Sequence, residues 1–566
     1  MSTIRICEPR RWGVALGATP YEPMPPGRTA FGGSGVLPGG IDSSGTRASR
    51  GCQRRGLCFS VAEFPTAPPS GRTGCPDTGV GVPIESPQMK AKRSSANRQH
   101  SRGLKPTRPR ITGRIAWMSG GVFVAVNILL SAYFLDSVPS PNPTSRALPV
   151  LTLYEEGTYA IDTYEKFTMD KSFVNGHYYS DKAPLSTWVV LPLYGLLKAL
   201  HLADAGVGKV RWLPVTLLGD VVCGSLPFVV LLWLVLRRLV TETPDRNPAL
   251  LCMLPLYGSF VFAYSGVFMS HVLAGILLCG SYILLKEQKY FAVCGLLLGL
   301  AVLAEFPTAL ALPIWAVAIA RRQKRDLLPF ALGGLPCAVA LLLFNHAITG
   351  SFVKMPYDYI ADSAFSDMRS SYGISLPQPD AIWGLLFSTY RGMFFYAPAL
   401  AIIAFAYVVT RRSRIVREDL ITPLGLLAVC YVGLISSYFV WWGGWSYGPR
   451  HLIPLAMLLF YEGIPMLART SGFRGWLYTA SACGVGMVWI AKSTALYLMP
   501  EQFSNPVFDL ALPSFLQRQL RHDSILTHLF NVDTLVASWV WLVLFATSAA
   551  GLHILYGKLF LRTSAR

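Results

Sequence analysis

Between residues 115 and 556 the chain runs through one apolar stretch after another, and this succession constrains its fold more than any other feature. A helix needs about 20 mostly apolar residues to cross a bilayer. Candidate spans are 115–135, 212–236, 249–267, 270–285, 290–306, 308–320, 327–345, 393–410, 420–440, 452–468, 475–494 and 535–556. Within hydrocarbon a backbone must satisfy its own polar groups, which helices do segment by segment. The pattern therefore predicts an all-α polytopic membrane protein with about 12 transmembrane helices. Composition agrees. The chain is 52% hydrophobic and 14% charged, where a soluble domain carries about a quarter charged residues.

Charge sets the sidedness. Residues 1–112 hold 17 Lys and Arg against 6 Asp and Glu, and are rich in Gly, Pro and Ser without apolar periodicity. Such a segment buries too little apolar surface to offset its ordering entropy, so 1–112 reads as a disordered basic tail. A second expectation is that translation starts at Met89, with "MKAKRSSANRQHSRG" leading directly to the first span. Positive loops stay cytoplasmic. With the tail inside, Arg237–Arg238, Lys286–Lys289, Arg321–Arg325, Arg411–Arg417, Arg469–Arg474 and Lys558–Arg566 all fall inside too. The expected location is the cytoplasmic (inner) membrane, multi-pass, with both termini cytoplasmic. The net charge of +19 thus belongs to a tail and short loops, and no nucleic-acid partner is expected. The eleven Cys form no C-x-x-C, and seven lie in apolar runs where Cys acts as a small hydrophobe.

The same count decides "LSTWVVLPLYGLLKALHL", residues 185–202. Reading it as a crossing would move Arg237–Arg238 to the wrong side, so it is expected to lie in the outer interface, with Trp188 and Tyr194 at headgroup depth. The outer face then carries long segments, 136–211, 346–392, 441–451 and 495–534, of the kind that usually bear function.

The first outer segment gathers Asp136, Glu155, Glu156, Asp162, Glu165, Asp170 and Asp181 with Arg146, Lys171 and Lys182. Carboxylates are the groups that take a hydroxyl proton, and Arg or Lys are the groups that stabilise a departing phosphate. Singly, each is most simply a solvated loop charge; together, at the mouth of a helical bundle, they point to a site. "WWGGWSYGPRH", 441–451, is a second concentration, where Arg450 and His451 follow glycines and aromatics. Trp441, Trp442, Trp445 and Tyr447 fit ordinary interfacial anchoring; the glycines and "GPRH" fit a lipid-linked phosphate better. A third, 345–396, has Lys354, Asp358 and Arg391 as its polar points, equally suited to a cover or a structural loop. Glu305 and His271 sit near the outer ends of spans, where ionisable residues are functional candidates.

The order of parts resembles the GT-C superfamily of integral-membrane glycosyltransferases, which includes protein O-mannosyltransferases and bacterial lipid A aminoarabinose transferases. The resemblance runs over residues 113–566 and is carried by "NPTSR", "EEGTYAID", "MDKSFVNGHYYSDKAP", "GLLFSTYRGMFFYAP" and "WGGWSYGPRHLIP". It implies transfer of a sugar from a polyprenyl-phosphate donor to a lipid, glycan or protein acceptor on the outer face, in contact with membrane lipid. It implies a base among the first-loop carboxylates. Better-known members carry an acidic residue shortly before the Arg of the early motif, and "NPTSR" has none. The candidates are therefore Asp181, Asp170 and Asp162, with Asp136 behind them. "DKAP" matches the family's lysine–proline motif with Ala183 for one proline, which makes Lys182 the expected donor-phosphate contact, joined by Arg450, Arg146 and His451. His177, Tyr179, Glu305, Tyr447 and Arg391 are expected to shape the substrate pocket. The carboxylates permit a divalent metal, but no fixed spacing demands one and no metal ligand is assigned. A transporter or flippase of a lipid-linked or anionic substrate is the rival class; it predicts internal repeats with broken helices, and no clear repeat is visible.

Overall fold

The computed structural model describes residues 113–561, apart from 139, 204–210, 244–245, 370, 412–421, 471 and 522–523. The expectations for the basic tail and for a start at Met89 lie outside the described residues. What is described is a helical protein. Every candidate span is helical over most of its length. Four helices are long and apolar enough to cross a membrane: Leu213–Glu242, Lys324–Thr349, Arg450–Arg469 and Thr534–Lys558. The others are shorter. The segment 249–267 divides into Pro248–Tyr257 and Phe260–Ala263. Ten residues at 1.5 Å each reach about 15 Å, half of a hydrocarbon core. The main core of buried aliphatic and aromatic side chains runs through the bundle, with Trp315 and Trp541 wholly enclosed, and three smaller apolar clusters adjoin it among the described residues.

The all-α expectation needs one amendment. After helix α1 (Gly113–Ser131), the first long loop folds into helix α2 (Pro141–Glu155), an antiparallel pair β1 (Lys171–Val174) and β2 (His177–Ser180), and helix α3 (Leu185–Ala199). The hairpin closes through Asn175 and Gly176, whose φ values are 50° and 92°. Two positive φ angles in a two-residue loop match the twist of the strands, and Asn-Gly adopts them at least cost.

Helix α3 forms where the interfacial helix was expected, but with a different face outward. Tyr194 is buried and meets Tyr154 of α2 edge-on at 5.4 Å, and Trp188 packs on Phe344. Both rings thus serve packing, while Leu193, Leu196 and the C-cap Leu200 are exposed.

A buried anchor fixes the turn from α1 into α2. The Asp136 amide donates to the Asp220 carboxylate at 2.8 Å, and the Tyr497 hydroxyl donates to the Asp136 carboxylate at 3.1 Å. Ser140, at the N-cap of α2, shares a 2.5 Å hydrogen bond with that same Tyr497 hydroxyl. Asp136 is therefore a structural carboxylate. At the far end of the bundle Arg238, Lys286 and Glu462 join the C-terminal ends of three helices, with Arg238 2.8 Å and Lys286 2.7 Å from Glu462. These are ends that the charge reading assigns to one side of the membrane.

Candidate functional site

Asp170 immediately precedes β1, and Asp181 and Lys182 immediately follow β2. Because Lys171 pairs with Ser180 in the hairpin register, closing the hairpin brings Asp170 beside Asp181 and Lys182. The Lys182 ammonium lies 3.0 Å from each carboxylate. All three are mostly buried, with side chains 16%, 5% and 11% exposed for Asp170, Asp181 and Lys182. Helix α2 clamps both ends of the hairpin. The Ser145 hydroxyl donates to the Asp170 carbonyl at 2.5 Å and meets the Ser180 hydroxyl at 2.8 Å.

Charges confined this closely change one another's acidity. Burial pushes the Asp170 carboxyl up, but Lys182, with Arg450 and Arg146 behind it, outweighs burial and holds Asp170 below its ordinary range. Asp181 is raised: burial dominates, Lys182 opposes, and the neighbouring Asp170 charge adds to the rise. For Lys182, burial disfavours the charge, yet the two carboxylates more than compensate and raise its pKa.

Arg146, the residue after Ser145, reaches the other way. Its Nη2 donates to the Ser270 hydroxyl at 2.8 Å and lies 3.6 Å from Glu305 Oε1. It also donates to Asn142, one turn earlier. Ser270 donates to Glu305 Oε1 at 2.6 Å, and His271 Nδ1 is 3.0 Å from the same oxygen. Ser270 and His271 open helix His271–Glu287, and Glu305 follows helix Phe291–Ala304. Thus α2 links the hairpin charges to the ends of two bundle helices.

Arg450 and His451 close the cluster from another segment. Both lie against Gly443, where an added Cβ would meet Arg450 Nε at 3.1 Å and His451 Nε2 at 3.3 Å. Gly443 also has φ +77°, so this position needs glycine for both space and backbone. The His271 and His451 rings meet edge to face at 5.6 Å. Arg450 Nε and His451 Nε2 are buried and make no hydrogen bond to the described residues. Lys182 and Arg146 each have a carboxylate neighbour; Arg450 has no ion-pair partner among the described residues.

Tyr357 belongs to the same cluster and was not singled out from the sequence. Burial raises its phenol well above the ordinary value, the nearby Asp181, Glu305 and Asp170 charges add to the rise, and Arg146 opposes it. Its segment is docked on β1: Ser172 Oγ donates to the Pro356 carbonyl at 2.6 Å, and the Ala361 amide to the Lys171 carbonyl at 3.0 Å. The signal is the run "KMPYDY", where Tyr357 stands between Lys354 and Asp358. Asp358 instead caps its own turn, accepting from the Met355 amide at 2.8 Å.

Other expected site residues lie elsewhere. Asp162 and His177 pair with each other at 2.7 Å on the exposed side of the hairpin, and Asp162 also accepts from the Tyr178 amide at 2.6 Å. Tyr179 packs with Val174, Phe344 and Ile348. Tyr447 is wholly buried, edge-on to Tyr396 at 4.7 Å. Arg391 is also wholly buried; its guanidinium donates to the carbonyls of Tyr390, Met499, Gly444 and Trp442 at 2.9 to 3.3 Å. It ties the 441–451 segment to its own turn and to Met499.

The place between Asp170 and Asp181, where a divalent ion would sit, is filled by the Lys182 ammonium. Among the described residues no three His, Cys, Asp or Glu side chains converge as metal ligands. The donor set does not fit a metal ion.

No protein-family model matches the chain, and no curated protein matches it. Among solved structures the chain is similar to ArnT from Cupriavidus metallidurans in the apo state. The TM-score is 0.40 with 14% sequence identity, over 79% of this chain and 78% of that one.

Proposed function

We propose that this protein is a membrane glycosyltransferase of the GT-C type, moving a hexose or pentose from a polyprenyl-phosphate donor to an acceptor hydroxyl or amine at the outer face of the cytoplasmic membrane. The observation that carries the reading is Arg450, a cation in a buried polar cluster with no ion-pair partner among the described residues. Among the described residues, Lys182 and Arg146 each lie within ion-pair distance of a carboxylate, Asp170 and Asp181 for Lys182 and Glu305 for Arg146, whereas Arg450 does not. An anionic phosphate beside Arg450 supplies the missing partner, and a guanidinium is well suited to hold it. The cluster lies at the end of an apolar bundle opposite the Arg238–Lys286–Glu462 junction, within reach of a donor whose lipid tail stays in the bilayer.

The chemistry follows from that placement. Arg450 holds the phosphate, with Lys182 and Arg146 near enough to take up charge as it leaves. The acceptor displaces the phosphate at the anomeric carbon, most simply with inversion. Charges in a partly dry site act more strongly there than in water. The motifs quoted above for the GT-C resemblance support the same reading, as does the distribution of basic loops, from which an outer position of the cluster is expected.

The test is transfer in membranes containing the protein, with radiolabelled undecaprenyl-phosphate mannose, glucose and arabinose as donors. Label is expected to move to an endogenous acceptor, and Arg450→Met is expected to raise the donor KM about tenfold or more, the loss of one charge-assisted contact. Movement of intact donor across the membrane without transfer would favour the flippase instead.

A further inference from the structure

The proposed transfer releases a proton from the acceptor, and the first-loop aspartates are poorly placed to take it. Both Asp170 and Asp181 are engaged by the Lys182 ammonium at 3.0 Å. Asp162 is on the exposed side of the hairpin, engaged with His177. A different pair in the same cluster has the geometry of a base. Glu305 Oε1 accepts from Ser270 at 2.6 Å and has Arg146 at 3.6 Å, so the carboxylate is fixed as an anion. It faces His271 Nδ1 at 3.0 Å. A carboxylate on one imidazole nitrogen keeps the proton there and leaves the other nitrogen as the acceptor. His271 Nε2 makes no hydrogen bond to the described residues. The His271 ring is held from two sides, by the Tyr264 ring edge-on at 6.4 Å and by His451 at 5.6 Å. His451 in turn lies with Arg450 against Gly443, beside the proposed phosphate position.

We infer that His271, oriented by Glu305, is the general base of the transfer, and that Asp170 and Asp181 serve to hold Lys182. This rests on the glycosyltransferase reading. In the step, the acceptor O–H or N–H bond breaks and its proton passes to His271 Nε2. The freed electron pair forms the new bond to the anomeric carbon. The bond from that carbon to the phosphate oxygen breaks, and its pair leaves with the phosphate beside Arg450. Glu305 stabilises the imidazolium that results.

The test compares wild type, His271→Ala, His271→Gln and Glu305→Gln in the membrane assay with the three labelled donors, with and without added imidazole. General-base catalysis contributes roughly 100- to 10,000-fold. His271→Ala is therefore expected to lose about 100-fold or more in kcat with the donor KM nearly unchanged, and to regain rate as imidazole is added. His271→Gln, which fills the cavity, is expected to lose as much without rescue. Glu305→Gln is expected to lose about tenfold or more in kcat. Full kcat in His271→Ala would overturn the inference, as would a loss that imidazole leaves untouched in membrane-inserted protein. Either leaves the parent reading standing, because wild type still transfers. If wild type transfers from none of the donors, the parent reading falls and takes this step with it.

Discussion

Among single residues, the decisive contrast is between carboxylates that look alike in the sequence. Asp162, Asp170 and Asp181 share one loop, but only the last two meet Lys182. Position relative to the hairpin separates them: two lie at its open end, while Asp162 lies where it can bond His177 and Tyr178. Removing Lys182 alone leaves two buried like charges uncompensated, which costs on the order of 3–5 kcal/mol. Lys182→Met is therefore expected to lower the melting temperature of the detergent-solubilised protein and to abolish transfer. Adding Asp170→Asn should restore most of the melting temperature without restoring transfer. Asp162→Asn should change neither by much. The pH dependence has a definite sign. Asp170 is lowered on folding, so its contribution is present above the ordinary carboxylate range and lost as pH falls through its depressed value. Lys182 is raised, so its contribution is complete below the ordinary lysine value and lost as pH rises through the elevated one. Asp181, being raised, runs opposite to Asp170 and favours the fold more in its protonated form. Thermal unfolding against pH should show an alkaline loss of stability above about pH 10.4 that Lys182→Met/Asp170→Asn lacks.

At the scale of elements, the hairpin and the 441–451 segment carry the site, and they differ in how far the sequence displays them. Asn175-Gly176 between alternating residues is a hairpin signal, but the abundance of charge around it drew the reading toward chemistry and away from backbone. Once the hairpin is seen, the meeting of Asp170 with Asp181 and Lys182 follows from a two-residue turn. The apolar periodicity placed the helices because span length and loop charge are local quantities. The Glu305–His271 contact was not readable as a pair, since it joins the end of one helix to the start of another, and nothing local sets that distance. The carbonyl contacts of Arg391 were not legible for a related reason: a buried guanidinium that binds four carbonyls has the same sequence appearance as one that binds substrate. Two element-scale predictions follow from these differences. Gly176→Val forces a β-branched residue to φ 92°, costing about 1–3 kcal/mol, and should reduce transfer by loosening Asp170 from Lys182. Arg391→Ala strands buried carbonyls at about 1–3 kcal/mol each, and should show as lost thermal stability before any specific change in donor KM.

For the whole molecule, the arrangement is polar at both ends and apolar between, and the two polar ends have different characters. One is an ion-pair junction between helices, where Arg238 and Lys286 share Glu462 and Arg238 also pairs with Glu242. The other holds Arg450, which lacks an ion-pair partner among the described residues. In the first, each cation has a carboxylate within reach and the pairs tie helices together; in the second, Arg450 has none among the described residues, which is where the proposed phosphate would bind. The twelve-crossing reading assigns the first to the cytoplasm and the second to the outer face, and the assignment is open to a direct measurement. His177 stands at the exposed tip of the hairpin, and Lys289 lies just beyond helix His271–Glu287, in the basic loop next to Lys286. Neither belongs to the charge cluster of the site, so a cysteine at either position probes sidedness without disturbing it. In a background with the native cysteines replaced by serine, His177→Cys should react with a membrane-impermeant maleimide in intact spheroplasts. Lys289→Cys should react only after the membrane is permeabilised. Reaction of both from outside would remove the crossings that separate them, and with those the proposed placement of Arg450 and His271 on the outer face.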